Sequence, residues 1–466
     1  MAPPLRIVII VFIAVAVLLS LFSIFETSFP FSLHAKVFPK QALPTRSGYL
    51  PIPPTNASLF FVFYEATDPI TPPSSTPLLL WLQGGPGCSG LVGNFFELGP
   101  FFVNPDGASL SRNPFSWNRR FGLLFVDSPL GTGFSAAASP ADIPTGQPAI
   151  AAHILSALQS FLSLDRSFRS RPLFLAGESY AGKYIPVAAS HILDVNPTLP
   201  EHRRVNLVGV AIGNGFTHPV VQVATHADRA YSAGLINARQ RSELAVMQEE
   251  AVSLTTAERW VESAAAKERV LSVLQTMTGL ATLYDVARQR PYQTGHVVVF
   301  LNRPEVKAAL GVRRGDARWA MCSGEVRTAM EADVMKSALP EMETILMRRR
   351  GTRVLLYQGV RDLMDTVAAT EAWMGELRWG GLRAFLDAER VVWRLDGGEL
   401  PGGELAGYVQ RSGMLTHVVV HGTGHMVPVD NGRAAQEMIE RWVLEAVLPR
   451  RSRGGNGGTR GAGPPL

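Results

Sequence analysis

The 466-residue chain is 46% hydrophobic and 18% charged, which excludes a disordered protein and allows a large buried core. Its net charge is +5, but the excess is scattered, with runs only at Arg348–Arg350 and in the tail from Arg450. No basic–aromatic repeat accompanies those runs, so the charge reads as solvated surface and no nucleic-acid partner is expected.

Met1–Arg6 carries one positive side chain, Ile7–Phe25 is almost wholly apolar, and the first acidic residue is Glu26. Residues 1–35 are therefore expected to be a secretory signal, with Ala35 a candidate cleavage position, or a retained membrane anchor. Any membrane contact would run through this segment alone. Both readings deliver the rest of the chain to the secretory pathway, to be secreted, vacuolar or anchored. Asn56-Ala57-Ser58 is a glycosylation sequon in a Pro-rich stretch, which suits that lumen. The only two cysteines are Cys88 and Cys322. In an oxidising compartment they invite one long-range disulfide; two free buried thiols is the competing reading.

Leu43–Ile52 and Ser58–Glu65 alternate apolar and polar residues as an antiparallel hairpin does. A Pro/Ser/Thr loop follows, then an apolar strand, Pro77–Leu82, that runs into Gln83-Gly84-Gly85-Pro86-Gly87-Cys88. A Gly-Gly turn lets backbone N–H groups approach a reacting carbonyl. The Lys and Ser/Thr of a phosphate-binding loop are missing. Gly122–Val126 is the next buried strand and ends in Asp127. Ile150–Phe168 has helical spacing, and Pro172–Ala176 is again an apolar strand. Val205–Ile212 is closed by Gly213-Asn214-Gly215. Strands alternating with helices predict a mostly parallel α/β sheet.

From about 216 to 297 the pattern turns polar and Ala/Glu-rich, with Thr256–Met277 read as helix, and predicts a helical cap inserted over the sheet. A helix is then expected to begin at Asn302-Arg303-Pro304-Glu305. Strands at Val354–Gln358 and Leu415–Val420 and a helix at Glu437–Val447 complete one domain over 36–448. The Gly/Arg/Pro-rich residues 449–466 are expected to form a disordered basic tail.

The sharpest chemical signal lies after Pro172–Ala176. Gly177-Glu178-Ser179-Tyr180-Ala181 joins a strand to a helix, with small residues two before and two after the serine. That is the nucleophile elbow of an α/β-hydrolase, which lifts Ser179 out of the sheet at a helix N-terminus. The fold's order is nucleophile, then an acid after a late strand, then histidine after the last strand. Asp362 and His425 fill those places. Asp365 and Asp387 are rival acids, and His421 is the rival base. His425 would take the Ser179 proton while Asp362 holds its tautomer. The N–H groups of Gly85 and Tyr180 would hold the oxyanion. No His/Cys/Asp cluster has ligand spacing, so no metal or cofactor is expected.

These motifs together resemble serine carboxypeptidases, most of all the plant serine carboxypeptidase-like group. The resemblance rests on Trp-Leu-Gln-Gly-Gly-Pro-Gly-Cys-Ser at 81–89, Asn-Pro-Phe-Ser-Trp-Asn at 113–118, residues 127–135 and Gly-Glu-Ser-Tyr-Ala-Gly-Lys-Tyr at 177–184. It extends through 213–216, the segment around Cys322, and residues 357–362 and 422–428. It covers roughly Leu43 to Val447 and implies an α/β-hydrolase fold. It also implies release of C-terminal residues from peptides or proteins at acidic pH through an acyl-enzyme. The substrate carboxylate site it implies comprises Trp81, Gln83, Gly84, Glu97 and Glu178, with Met426 and Tyr180 lining the pocket. Cys88 and Cys322 match a bridge of the family. Gln83 stands where the family usually has Asn, so the carboxylate site is expected to be shifted. Two further functions remain in view: an acyltransferase using sugar-ester donors, and a catalytically silent binding protein. The oligomeric state is open.

Overall fold

The computed structural model describes residues 38–313, 317–348, 351–396 and 402–448. The expected signal or anchor and the basic tail lie outside these residues. The chain enters through β1 (Arg46–Pro51) and β2 (Ser58–Tyr64), antiparallel, with Arg46 opposite Phe63 and Pro51 opposite Ser58. β3 (Leu78–Leu82) follows, then a short hairpin of β4 (Phe101–Val103) and β5 (Leu110–Arg112). The remaining strands are β6 (Gly122–Val126), β7 (Leu173–Glu178), β8 (Leu207–Gly213), β9 (Arg353–Gly359), β10 (Val391–Leu395), β11 (Glu404–Ser412) and β12 (Leu415–Val420).

Ten of them form one sheet in the order β1-β2-β6-β3-β7-β8-β9-β12-β11-β10. The run from β6 to β12 is parallel, and both flanks are antiparallel. The central strands are continuously apolar, as strands covered on both faces must be. Leu78, Leu80 and Leu82 pack on one face with Ile150, Ile154 and Ile185 of the helices Gln147–Ser163 and Ala181–Val195. Leu79 and Trp81 pack on the other with Met438, Ile439 and Trp442 of the helix Gly432–Val447. This is the mostly parallel, doubly covered sheet that the alternating pattern predicts.

Between β8 and β9 the chain is helical, with a hairpin of Ala238–Thr256 and Trp260–Thr278. The expected helix Thr256–Met277 begins four residues later, at Trp260, because Thr256 ends the preceding helix and Glu258 takes a left-handed φ of 55° in the turn between them. These helices share a core of their own, in which Leu244, Val270, Leu271 and Leu274 meet Leu283 and Leu363. Pro304 opens the helix Pro304–Leu310 as expected, but Arg303 caps it, because Asn302 closes the preceding helix Gly295–Leu301. The hairpin β10–β11 has no strong sequence signal: β11 carries Gly, Gln and Arg, and β10 is an edge strand with Val391 and Val392 exposed.

Cys88 and Cys322 are disulfide-bonded across 234 residues of sequence. Backbone bonds flank the bridge, Ser89 N–H to Met321 O at 2.9 Å and Ser323 N–H to Gly87 O at 2.8 Å. The Gly-rich loop after β3 is thereby pinned to the segment after the cap. Closing a loop this long contributes roughly 4–5 kcal/mol in the chain-entropy account.

Candidate active site

β7, β9 and β12 are parallel neighbours or near neighbours, so the loops after them leave the sheet at one edge. After β7, Ser179 adopts φ +60°, a left-handed conformation costly for any residue with a Cβ and typical of strained functional turns. Its N–H donates to Gly213 O at 3.0 Å, and its carbonyl accepts from Phe216 N–H at 2.9 Å. A Cβ on Gly177 would fall 2.2 Å from Leu82 O, so only glycine permits the approach of β7 to β3 there. A Cβ on Gly84 would fall 2.6 Å from Tyr180 N and 2.7 Å from Ser179 Cβ. The Gly-Gly turn therefore presses directly against the serine elbow.

His425, after β12, and Asp362, after β9, are both buried, with His425 Nδ1 2.7 Å from Asp362 Oδ2. Asp362 Oδ2 also accepts from Asn214 Nδ2 at 2.7 Å, and Oδ1 accepts from Met364 N–H at 2.7 Å and Asp365 N–H at 3.2 Å. Burial works against a charged His425, but Asp362 outweighs it, with Asp365 and Glu97 adding, and raises the imidazole above its ordinary value. His425 Nε2 is buried with no protein partner among the described residues. Of the rivals, His421 and Asp387 are exposed, and Asp387 pairs with Arg383. Asp365 is buried, but its Oδ1 lies 3.5 Å from Gln222 Nε2 and it does not hold His425; burial, then the charge of Asp362, pushes it up to about 7.

Beside the elbow, the last residue of β7, Glu178, meets Glu97 from the segment after the Gly-rich loop. Gln83 Nε2 donates to Glu97 Oε1 at 3.1 Å and to Glu178 Oε1 at 2.8 Å. Trp81 Nε1 orients that amide by donating to Gln83 Oε1 at 3.0 Å. The second oxygen of each glutamate is buried without a partner among the described residues. Burial pushes Glu97 up to about 7, and burial together with the Glu97 carboxylate drives Glu178 well above its ordinary value. The longer Gln83 thus still bridges both carboxyls. Met426 is buried next to His425.

Two contributors were given no role by the sequence, although one of them, Asn214, lies in the 213–216 motif. Asn214 looked like part of a turn that closes β8; it sits at φ 43° and anchors Asp362. Tyr284, from the end of the cap, stacks on His425 with ring centroids 4.4 Å apart and planes at 13°. Its only sequence context is a polar segment of the insertion, and nothing there points at a histidine more than a hundred residues away.

The parallel sheet, the strained serine at the strand–helix turn and the buried His–Asp pair are the arrangement of an α/β-type serine hydrolase. The profile of the serine carboxypeptidase family matches residues 37–445. Serine carboxypeptidase-like 50 of Arabidopsis thaliana is 52% identical over 409 residues, 88% of this chain and 89% of that protein. The venom serine carboxypeptidase of Apis mellifera is 32% identical over 414 residues, 86% of this chain and 85% of that protein. Among solved structures, a prohormone-processing carboxypeptidase from Saccharomyces cerevisiae superposes with a TM-score of 0.77 at 26% identity. That alignment covers 86% of this chain and 91% of the yeast one. The chain belongs to the serine carboxypeptidase family, and is a serine-type carboxypeptidase of the α/β-hydrolase fold.

Proposed function

We propose that this protein removes C-terminal residues from peptides and proteins through an acyl-enzyme formed on Ser179. Ser179 Oγ attacks the scissile carbonyl carbon while His425 Nε2 takes its proton. The oxyanion is held by the N–H groups of Gly85 and Tyr180. The proton then passes to the leaving amine as the C–N bond breaks, and water hydrolyses the ester by the same route. The observation that carries this reading is the Gln83-bridged pair of Glu97 and Glu178 beside the serine. An ester or amide hydrolase has no use for two buried carboxyls there, whereas an exopeptidase must recognise a free carboxylate. A protonated glutamate can donate to it, and an ionised pair would repel it.

The sign follows. Glu97, pushed up to about 7, keeps its proton under acidic conditions and loses it as pH rises. KM for a blocked dipeptide acid should therefore climb as pH passes neutrality. The raised His425 opposes this from the acid side, because only the neutral ring accepts the Ser179 proton. A dipeptide amide, with no terminal charge, feels only His425, and its optimum should lie at higher pH. Glu178→Gln should lessen the alkaline loss for the acid. Identical pH profiles for acid and amide in the wild type would remove these glutamates from carboxylate recognition.

Passage through the secretory pathway, to the vacuole or outside the cell, is supported by the apolar amino-terminal run and the disulfide. The exposed position of Asn56 in the turn between β1 and β2 fits it as well. Among the described residues no helix is long and apolar enough to cross a membrane. Peptide mapping of the purified protein without reduction should recover one cross-linked species containing Cys88 and Cys322 and a glycan on Asn56. Two alkylatable thiols, or an unmodified Asn56, would count against this route.

A further inference from the structure

The end of the cap, residues 283–292, runs as a strap across both loops that carry the base and the acid. Leu363 N–H donates to Leu283 O at 2.9 Å, and Val286 N–H to Arg361 O at 3.1 Å, which ties the strap to the Asp362 loop from both sides. His425 N–H donates to Tyr284 O at 2.7 Å, and the Tyr284 ring covers the imidazole. A Cβ on Gly424 would fall 2.3 Å from Tyr284 O, so the loop is pressed against the strap just before the histidine.

A second set of bonds closes over the same point from the other side. Asp430, with its side chain only 6% exposed, accepts from Gly424 N–H at 2.8 Å. It accepts also from Arg288 Nη2 at 2.6 Å and Tyr292 OH at 2.7 Å. The Arg288 guanidinium carbon sits over the Tyr292 ring, 3.7 Å from its centroid, so the two donors brace one another. Tyr292 in turn meets Phe96 edge-on at 6.5 Å, one residue from Glu97.

Resting on the assignment of His425 as the base, we infer that Arg288 and Tyr292 are positioning residues, which fix the His425 backbone by holding Asp430 onto Gly424. His425 sits in a Gly-rich loop, Gly422-Thr423-Gly424, that has little stiffness of its own. Its backbone N–H and that of Gly424 are both used by the strap system, one directly and one through Asp430. Without Arg288, Asp430 is a buried carboxylate short of its cation, and it gains by turning away to water. Gly424 is then released, and the imidazole moves with it.

The test uses the full-length enzyme and two rates, turnover of a blocked dipeptide and phosphonylation of Ser179 by a fluorophosphonate, each expressed per titrated active site. Arg288→Met should lower kcat and the phosphonylation rate together by roughly 10–100-fold, since a displacement near 1 Å is enough, with KM changed less than about twofold. Tyr292→Phe should give a smaller loss of the same kind, and Arg288→Lys should recover most of the Arg288→Met loss. A residue with only a structural role would reduce the number of titratable sites and the melting midpoint, and leave the rate per site alone. That outcome, or a raised KM at unchanged kcat, overturns the inference. If Arg288→Met does not fold, Tyr292→Phe, which removes a single oxygen, decides by the same rates. A wild-type enzyme that fluorophosphonate does not label at Ser179 would instead overturn the catalytic assignment itself.

Discussion

Ser179→Ala is expected to lower kcat for a blocked dipeptide by about 10⁶, the usual result of deleting the nucleophile of a triad. Folding should be untouched. The bonds that hold residue 179 in place are from its backbone, to Gly213 and Phe216, and alanine keeps the same Cβ at the same φ of +60°. The strain of that turn is already present with serine, so the exchange neither adds nor relieves it. Binding of a product-like C-terminal acid should persist, because Gln83, Glu97 and Glu178 remain. Labelling by fluorophosphonate should vanish. A variant that keeps its melting midpoint but retains activity within a hundredfold would place the nucleophile elsewhere.

The elements that position this site are those whose sequences carry two signals at once. β3, β7, β9 and β12 are apolar runs buried on both faces, and each ends in glycine or a polar turn, so both the strand and its end are legible. Ser179, Asp362 and His425 are read from the sequence as the triad because each follows such an end in the order the fold requires. That rule alone does not reject His421, which follows β12 directly and is set aside only for lacking the Gly-Thr-Gly approach; the structure leaves both His421 and Asp387 exposed. Asp365 is the hardest rival to tell apart: it is buried like Asp362, and what distinguishes the two is that His425 Nδ1 bonds Asp362, at 2.7 Å. Glu97 and Glu178 were legible only through family resemblance. A glutamate in a turn or a surface helix has the same local sequence as one aimed at a second carboxyl, and what distinguishes them is a contact made through Gln83 between residues 81 positions apart in the chain.

The roles of Asn214, Tyr284 and Asp430 are illegible for a related reason. None is unusual in its own segment, and their roles exist only where β8, the cap and the last loop come together. β10 and β11 were missed on different grounds: an edge hairpin buries one side at most, and its pairing is set by neighbours rather than by apolar content. The cap could be recognised as an insertion from composition. That residues 283–292 near its end would grip the loops carrying Asp362 and His425 could not, because polar helical sequence says nothing about which end touches the site.

Asp362→Asn is expected to lower kcat/KM by about 10⁴, the scale seen when a triad carboxylate becomes an amide and the histidine tautomer is lost. Here the surrounding bonds make the outcome specific. Asp362 accepts on both oxygens: Oδ2 from His425 and Asn214, and Oδ1 from Met364 and Asp365 N–H. An asparagine has one oxygen. If that oxygen stays on the Met364 and Asp365 side, the NH₂ faces His425 and the Asn214 amide. His425 Nδ1 must then accept, its proton moves to Nε2, and the atom that should receive the Ser179 proton is already protonated. If the side chain flips, His425 keeps its tautomer, but the NH₂ meets two backbone N–H groups at bonding distance. A compensating flip of Asn214 would give up the 3.3 Å bond that its Oδ1 accepts from Gly359 N–H. Each arrangement leaves donors facing donors in a buried site, so the variant should be less stable as well as slow. Asp365 makes no hydrogen bond to His425 that would replace the lost one; its Oδ1 lies 3.5 Å from Gln222 Nε2. The check is kcat/KM for an ester and an amide substrate between pH 5 and 9 per folded enzyme, with ¹⁵N NMR of the His425 ring. A loss below tenfold, with Nε2 still unprotonated, would mean that another group holds the histidine.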